Sequence, residues 1–171
     1  TLSFVDGSSS VVLDNTYPVY LFKFIGIHPQ NDTNIKLHFQ ASTNTGSSYG
    51  VTTTNTHFYA NSSETSAFAF VSYDTGEDLA QSTSNITLTS SVGGSADESA
   101  SGELHLFNPS STTFVKHYIA RTQSYYHGDG ASDNYTAGYF NTTSAIDAVQ
   151  FSMSSGNMDS GTIKLYGIKD S

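Results

Sequence analysis

The chain has 171 residues, enough for one domain with a sizeable core and no need of disulfide or metal staples. A net charge of −9 with only six Lys and Arg leaves no basic stripe, so nucleic acid is excluded as an expected partner. The absence of Cys removes disulfides, thiolate catalysis and Cys-based zinc sites together, and no apolar run approaches the ~20 residues of a membrane-spanning helix.

Short apolar runs follow one another along the chain, separated by turn residues. Residues 11–13 form the first. Residues 19–27 (VYLFKFIGI) are apolar on both sides, which predicts a central strand packed on two faces. Ile35, Leu37 and Phe39 alternate with Lys36, His38 and Gln40, predicting a half-buried strand. Further runs lie at 58–59, 67–71, 86–88, 104–107 and 114–120. The last stretch, 140–168, reads as two alternating strands joined by a polar loop into a closing hairpin. Val149, Phe151 and Met153 fall on one side of the first, with Gln150, Ser152 and Ser154 on the other. In the second, Ile163 and Leu165 oppose Thr162, Lys164 and Tyr166.

Turns are expected at Asp6-Gly7, 29–34, 44–50, Gly93-Gly94, Asn108-Pro109 and 128–130. Only 76–81 (GEDLAQ) suggests a helical turn or two, and 90–101 (SSVGGSADESAS) reads as a mobile surface loop. Many short strands with polar turns predict an all-β fold: a two-sheet antiparallel β-sandwich, jelly-roll-like, of eight to ten strands. It forms a single domain over 1–171, with 1–16 as a peripheral N-terminal strand or attachment arm.

Chemistry is sparse. Ser, His and Asp are all present, but no Gly-x-Ser-x-Gly elbow presents a nucleophile, and His38, His105 and His117 sit at outward strand positions. The glutamates Glu64, Glu77, Glu98 and Glu103 pair in no recognisable glycosidase pattern. No enzyme, no cofactor and no metal is therefore assigned. The segment from His127 to Asn134 gathers Asp129, Asp133 and Asn134 on a glycine-bent loop, which suits calcium less well than an ordinary solvated turn. Tyr125, Tyr126, Tyr135 and Tyr139 bracket it. Rings beside amides and carboxylates suit saccharides, whose apolar faces stack while their hydroxyls find acceptors. The candidate ligand-binding residues are thus Tyr125, Tyr126, Asp129, Asp133, Asn134 and Tyr135. Packing or subunit contact is the other reading of the same tyrosines.

Several strings carry a family resemblance: YLFKFIGIHP at 20–29, ADESASGELHLF at 96–107, NPSSTTFVKH at 108–117, AGYFNTTSAIDAVQ at 137–150, and the stretch 152–168. Together, in order from about Tyr17 to Ile168, they resemble structural proteins of marine tailed bacteriophages, cyanophages included. The polar stretches 42–55 and 124–134 look particular to this chain. The resemblance implies a non-enzymatic virion protein on the capsid or tail surface, a decoration or fibre component. Its expected partners are other virion subunits and further copies of itself, a trimer if it sits in a fibre. Tyr17, Phe58 and Tyr139 are candidates for burial at such contacts, and a host surface glycan is the expected ligand if the chain also recognises receptors.

Overall fold

The computed structural model describes residues 1–31 and 34–169. All regular structure among them is β, in twelve strands rather than eight to ten. The smaller sheet has the order β1 (Leu2–Val5), β11 (Ala148–Met153), β3 (Leu37–Ser42) and β7 (Ile86–Thr87). The larger runs β12 (Met158–Ile168), β2 (Val19–Pro29), β8 (Ala100–Phe107), β9 (Lys116–Tyr126), β10 (Gly130–Phe140), β4 (Thr53–Ser63) and β5 (Ala69–Tyr73), with β6 (Leu79–Ser82) also pairing with β4. The named strand pairs are antiparallel. The chain changes sheet at every connection except those within β4–β5–β6 and β8–β9–β10, so the expected two-sheet, jelly-roll-like sandwich is what forms.

The core lies between the sheets, and Phe151 stands at its centre. Its ring meets Phe4, Phe22, Phe24 and Phe39 at centroid distances of 5.2–6.1 Å. Offset and edge-on ring packing of this kind adds to the area that the rings remove from water. Alternation explains the choice of residues: Val149, Phe151 and Met153 point inward while Gln150 and Ser152 are half-buried. Leu13 is also in the core and β1 pairs with β11, so residues 1–16 contribute to the sandwich as an edge strand and a buried anchor. Tyr17 packs against the core and the ring of Tyr20 instead of standing free for a subunit contact.

Four expectations are corrected. Strands β11 and β12 form no hairpin, because they lie in different sheets: β11 pairs with β1 and β3, and β12 with β2. Residues 76–81 form no helix. Asp74 accepts the amide of Gly76 through its side chain and those of Glu77 and Asp78 through its carbonyl, a tight turn that leads directly into β6. Strand β2 is packed on one face only; Tyr20, Phe22, Phe24 and Ile27 are buried, but Ile25 is 49% exposed on the other side. The segment 90–101 is no free loop, since Ser91, Val92, Gly93 and Glu98 are buried and Val92 bridges to Ile35. The turn expected at 29–34 includes positions 32 and 33, which lie outside the described residues.

The burial of Ser91, Val92 and Gly93 has a physical cause. The smaller sheet is too narrow to cover the whole inner face of the larger one. Residues 87–92 cover part of the remainder, and their backbone groups need partners because buried peptide groups are costly when unpaired. The inner face of β9 and β10 supplies them. Thr136 donates to the carbonyl of Thr87, Thr122 to that of Leu88 and Ser124 to that of Ser91, while the amide of Ser90 donates to Asn134 Oδ1 at 2.7 Å. The abundance of buried Ser, Thr and Asn follows from this arrangement.

Candidate binding face

The outer face of the larger sheet carries the side chains that alternate away from the core. Register places Lys23, Glu103, Arg121, Tyr135, Phe58 and Tyr73 in one row across six adjacent strands. The neighbouring row contains Ser101, Gln123, Asp133, Ala60 and Val71, and the exposed Ile25 lies two residues beyond Lys23 on β2. One ion pair lies within the first row and a second joins the two rows. Lys23 Nζ lies 2.5 Å from Glu103 Oε2, and Arg121 grips Asp133 with two bonds, Nε to Oδ1 at 3.1 Å and Nη2 to Oδ2 at 2.8 Å. Tyr135 donates its hydroxyl to Asp133 Oδ2 at 3.0 Å. The hydrogen bond from Arg121 holds the Asp133 carboxyl below the usual range, and the bond to Asp133 pushes the Tyr135 phenol up.

The six candidate residues divide among different environments. Asp133 and Tyr135 share the outer face. The Tyr135 ring is stacked on Phe58 at 4.8 Å with 4° between planes, and the Arg121 guanidinium lies 5.1 Å from its centroid on the ring. It is a cross-strand ladder whose ring faces are occupied. Asn134 points the opposite way and is fully buried, where it accepts from Ser90 and donates to the carbonyl of Thr122. Its role is structural. Tyr126 packs edge-on against Phe68 and beside His127 at the strand end. Asp129 occupies the turn with φ of 57°. The glycine-bent loop is therefore only the turn 127–129, since β10 already begins at Gly130. With Asp133 committed to Arg121, the acidic donors expected for calcium are not gathered, and among the described residues no three His, Cys, Asp or Glu side chains converge on a metal position.

Tyr125 differs from the other tyrosines. It sits on β9, its hydroxyl lies 3.5 Å from Asp129 Oδ1, and Glu64, just past the end of β4, lines the same hollow. Glu64 beside the hydroxyl, with burial and the other nearby carboxylates, pushes its phenol up to about 12. Strand β10 lies between β9 and β4, and where the side chain crosses it stand Gly130 and Ala131, with Ala131 directly opposite Tyr125. These small residues let the ring lie over the strand. Among the described residues no other ring packs on it.

Two hollows adjoin on this face. The larger, about 590 Å³, is walled by the two ion pairs and floored at Ser101 and Gly102. The smaller, about 340 Å³, lies along Tyr125, Glu64 and Ala131, and Gln123 borders both. Two backbone features shape the larger hollow. The pairing of β2 with β8 is irregular between Phe24 and Ile27, where Gly26 takes φ of 57° and donates its amide to Ser101 Oγ. At Gly102 a Cβ would come within 2.4 Å of the carbonyl oxygen of Arg121, so the strands close up there only without a side chain. No candidate from the sequence included Lys23, Arg121, Gln123 or Glu103. The signal was available: 121, 123 and 125 alternate outward, and a three-residue turn brings 133 opposite 123.

Polar contacts elsewhere are of another kind. Ser91 Oγ meets His127 Nδ1 at 2.7 Å, but Ser91 is 1% exposed and its hydroxyl has no access for a substrate. The pair ties the turn to the 87–92 segment. On the inner side of β4, Glu77 binds both Lys36 and Thr87, close to His38 and His57. His57 is fully buried and His38 half-buried, which corrects the expectation of a solvent-facing His38; His105 is half-buried against Phe107, and His117 is exposed. Burial holds the pKa of His38 and of His57 below the ordinary value.

No family model, curated protein or solved structure matches this chain.

Proposed function

We propose that the chain is a non-enzymatic bacteriophage virion structural protein, a capsid- or tail-displayed decoration or fibre component acting through subunit and surface contacts. One observation carries the contact reading. Among the described residues, seven of the eleven exposed large apolar side chains lie on the outer face of the larger sheet: Ile119, Tyr166 and Ile168 towards one end, with Ile25, Phe58, Val71 and Tyr73 beyond them. Scattered exposed apolar residues need no explanation, whereas a concentration on one rigid face suits association. The resemblance to marine tailed-phage proteins supplies the setting, and further copies of the chain and other virion subunits are the partners this reading expects. Antibodies raised against the folded chain should label the exterior of tailed particles that contain its peptides. Particles that contain the peptides but expose the epitope only after disruption would overturn a surface role.

A second reading, a carbohydrate-binding module for receptor recognition, is favoured by the ring of Tyr125, which lines a hollow with Gln123 and Glu64. The two readings share the outer face: Phe58, Tyr73 and Val71 stand in the same rows as Arg121 and Gln123, whereas Ile119 lies one row further from Tyr125.

A further inference from the structure

We propose that the trough formed by the two adjoining hollows, from Lys23 and Glu103 past Gln123 to Tyr125, binds an uncharged oligosaccharide. The proposal rests on the carbohydrate-binding reading and narrows it to a place and a ligand class.

Tyr125 supplies the stacking surface. Its side chain lines the smaller hollow with Glu64 and the small residues Gly130 and Ala131 of β10, its hydroxyl lies 3.5 Å from Asp129 Oδ1, and among the described residues no other ring packs on it. A pyranose ring has an apolar face that such a surface accepts, as aromatic side chains do with other flat apolar groups. Tyr135 cannot serve this purpose, because Phe58 and Arg121 already cover it.

The polar groups beyond Tyr125 fit hydroxyls. Arg121 uses Nε and Nη2 on Asp133, which leaves N–H groups of Nη1 free to donate. The carboxylates of Glu103 and Asp133 each retain lone pairs, and Gln123 offers both a donor and an acceptor between the hollows. Every one of these side chains stands on a paired strand, and the charged ones are already oriented by their partners. Such preorganisation lowers the entropy lost on binding.

Charge selects the ligand class. Lys23 is matched by Glu103 and Arg121 by Asp133, so neither cation in the trough is left uncompensated for a carboxylate or sulfate. Glu64 adds a negative charge at the Tyr125 end, and the whole chain carries −9. A polyanionic glycan meets repulsion; an uncharged one does not. The two hollows, about 590 and 340 Å³, fall in the range of small-ligand clefts and suit a few sugar units end to end.

The test is titration of the isotope-labelled full chain with maltotriose, cellotriose, laminaritriose and mannotriose, and with trigalacturonate and trimannuronate as acidic counterparts. Amide shifts are expected at Ser101, Arg121, Gln123 and Tyr125 with at least one of the four neutral trisaccharides. Tyr125→Ala should weaken that binding about tenfold, the scale of one lost stacking contact, with Tyr125→Phe retaining most of it. Gln123→Ala, at an exposed position, should weaken it without changing the melting temperature and so guards against a folding defect at Tyr125. Binding only of the acidic trisaccharides would overturn this inference and leave the carbohydrate reading standing. Silence towards all six, or shifts remote from the trough, would overturn both.

Discussion

Truncating Phe151 to Ala should be the most damaging single change in the sandwich. The ring is fully buried and touches four other phenylalanines, from β1, β2 and β3, so its loss opens a void that both sheets border. Removing a buried Phe of this kind costs about 3–5 kcal/mol, the transfer term plus the cavity left behind. For a domain of this length each kcal/mol lowers the melting temperature by about 2–4 °C, so a fall of roughly 6–20 °C is expected. Phe114→Ala is the control, because that ring is 71% exposed in a loop and its loss should cost less than about 0.5 kcal/mol. Urea unfolding followed by tyrosine fluorescence gives both values, since the chain has eleven Tyr and no Trp. A cost below about 1 kcal/mol for Phe151→Ala, or equal costs for the two variants, would refute the placement of the core.

Three further outcomes are expected. Asn134→Ala should destabilise by about 1–3 kcal/mol, because it leaves the half-buried amide of Ser90 without its acceptor; an unchanged unfolding midpoint would mean that Asn134 does not hold the 87–92 segment. Acid should weaken the fold through His38 and His57. Their folded pKa values are depressed, so below about 6.5 the unfolded chain binds more protons than the folded one, and stability that is complete above that pH is lost as pH falls through it. The melting temperature should drop between pH 7.5 and 5.5, and the drop should shrink in His38→Gln/His57→Gln; an identical slope in the double variant would exclude these histidines as its cause. Glu77 adds a second, lower step. Burial works to raise its pKa, but hydrogen bonds from Lys36 and Thr87 outweigh it, so Glu77 stabilises above its ordinary pKa and loses that contribution in stronger acid. Glu77→Gln should remove that lower step from the pH–stability curve while leaving the one near pH 6.5, and a curve unchanged below pH 5 would refute the assignment.

The fold class was legible because period-two alternation is local. Val149, Phe151 and Met153 declare an inward face from their own spacing. Their pairing was not legible. Nothing in the alternation of β11 names Phe39 or Leu2 as partners, and the short link to β12 looks the same whether it turns a hairpin or crosses to the other sheet. The two apolar sides of β2 show a related ambiguity, since an exposed Ile25 on an outer face reads in sequence like a buried one. At the candidate site, Tyr125, Asp133 and Tyr135 were found by composition, and Asn134 was grouped with them for the same reason. Treating 127–134 as a loop concealed the alternation that sends Asp133 outward and Asn134 inward. Arg121 and Gln123 went unnoticed because their contribution arises from register across strands, which only the assembled sheet displays.

The measurement that bears most directly on the central claim is the solution mass of the intact chain by sedimentation equilibrium, with hydrogen exchange on the same sample. Association through the outer face predicts a multiple of 18.3 kDa, three-fold if the chain builds a fibre, with protection along β2, β9 and β12. Ile119→Glu should return it to a monomer with an unchanged melting temperature measured below the association range. A wild-type chain that remains at 18.3 kDa at all concentrations, or an oligomer protected only on the smaller sheet, would contradict the account.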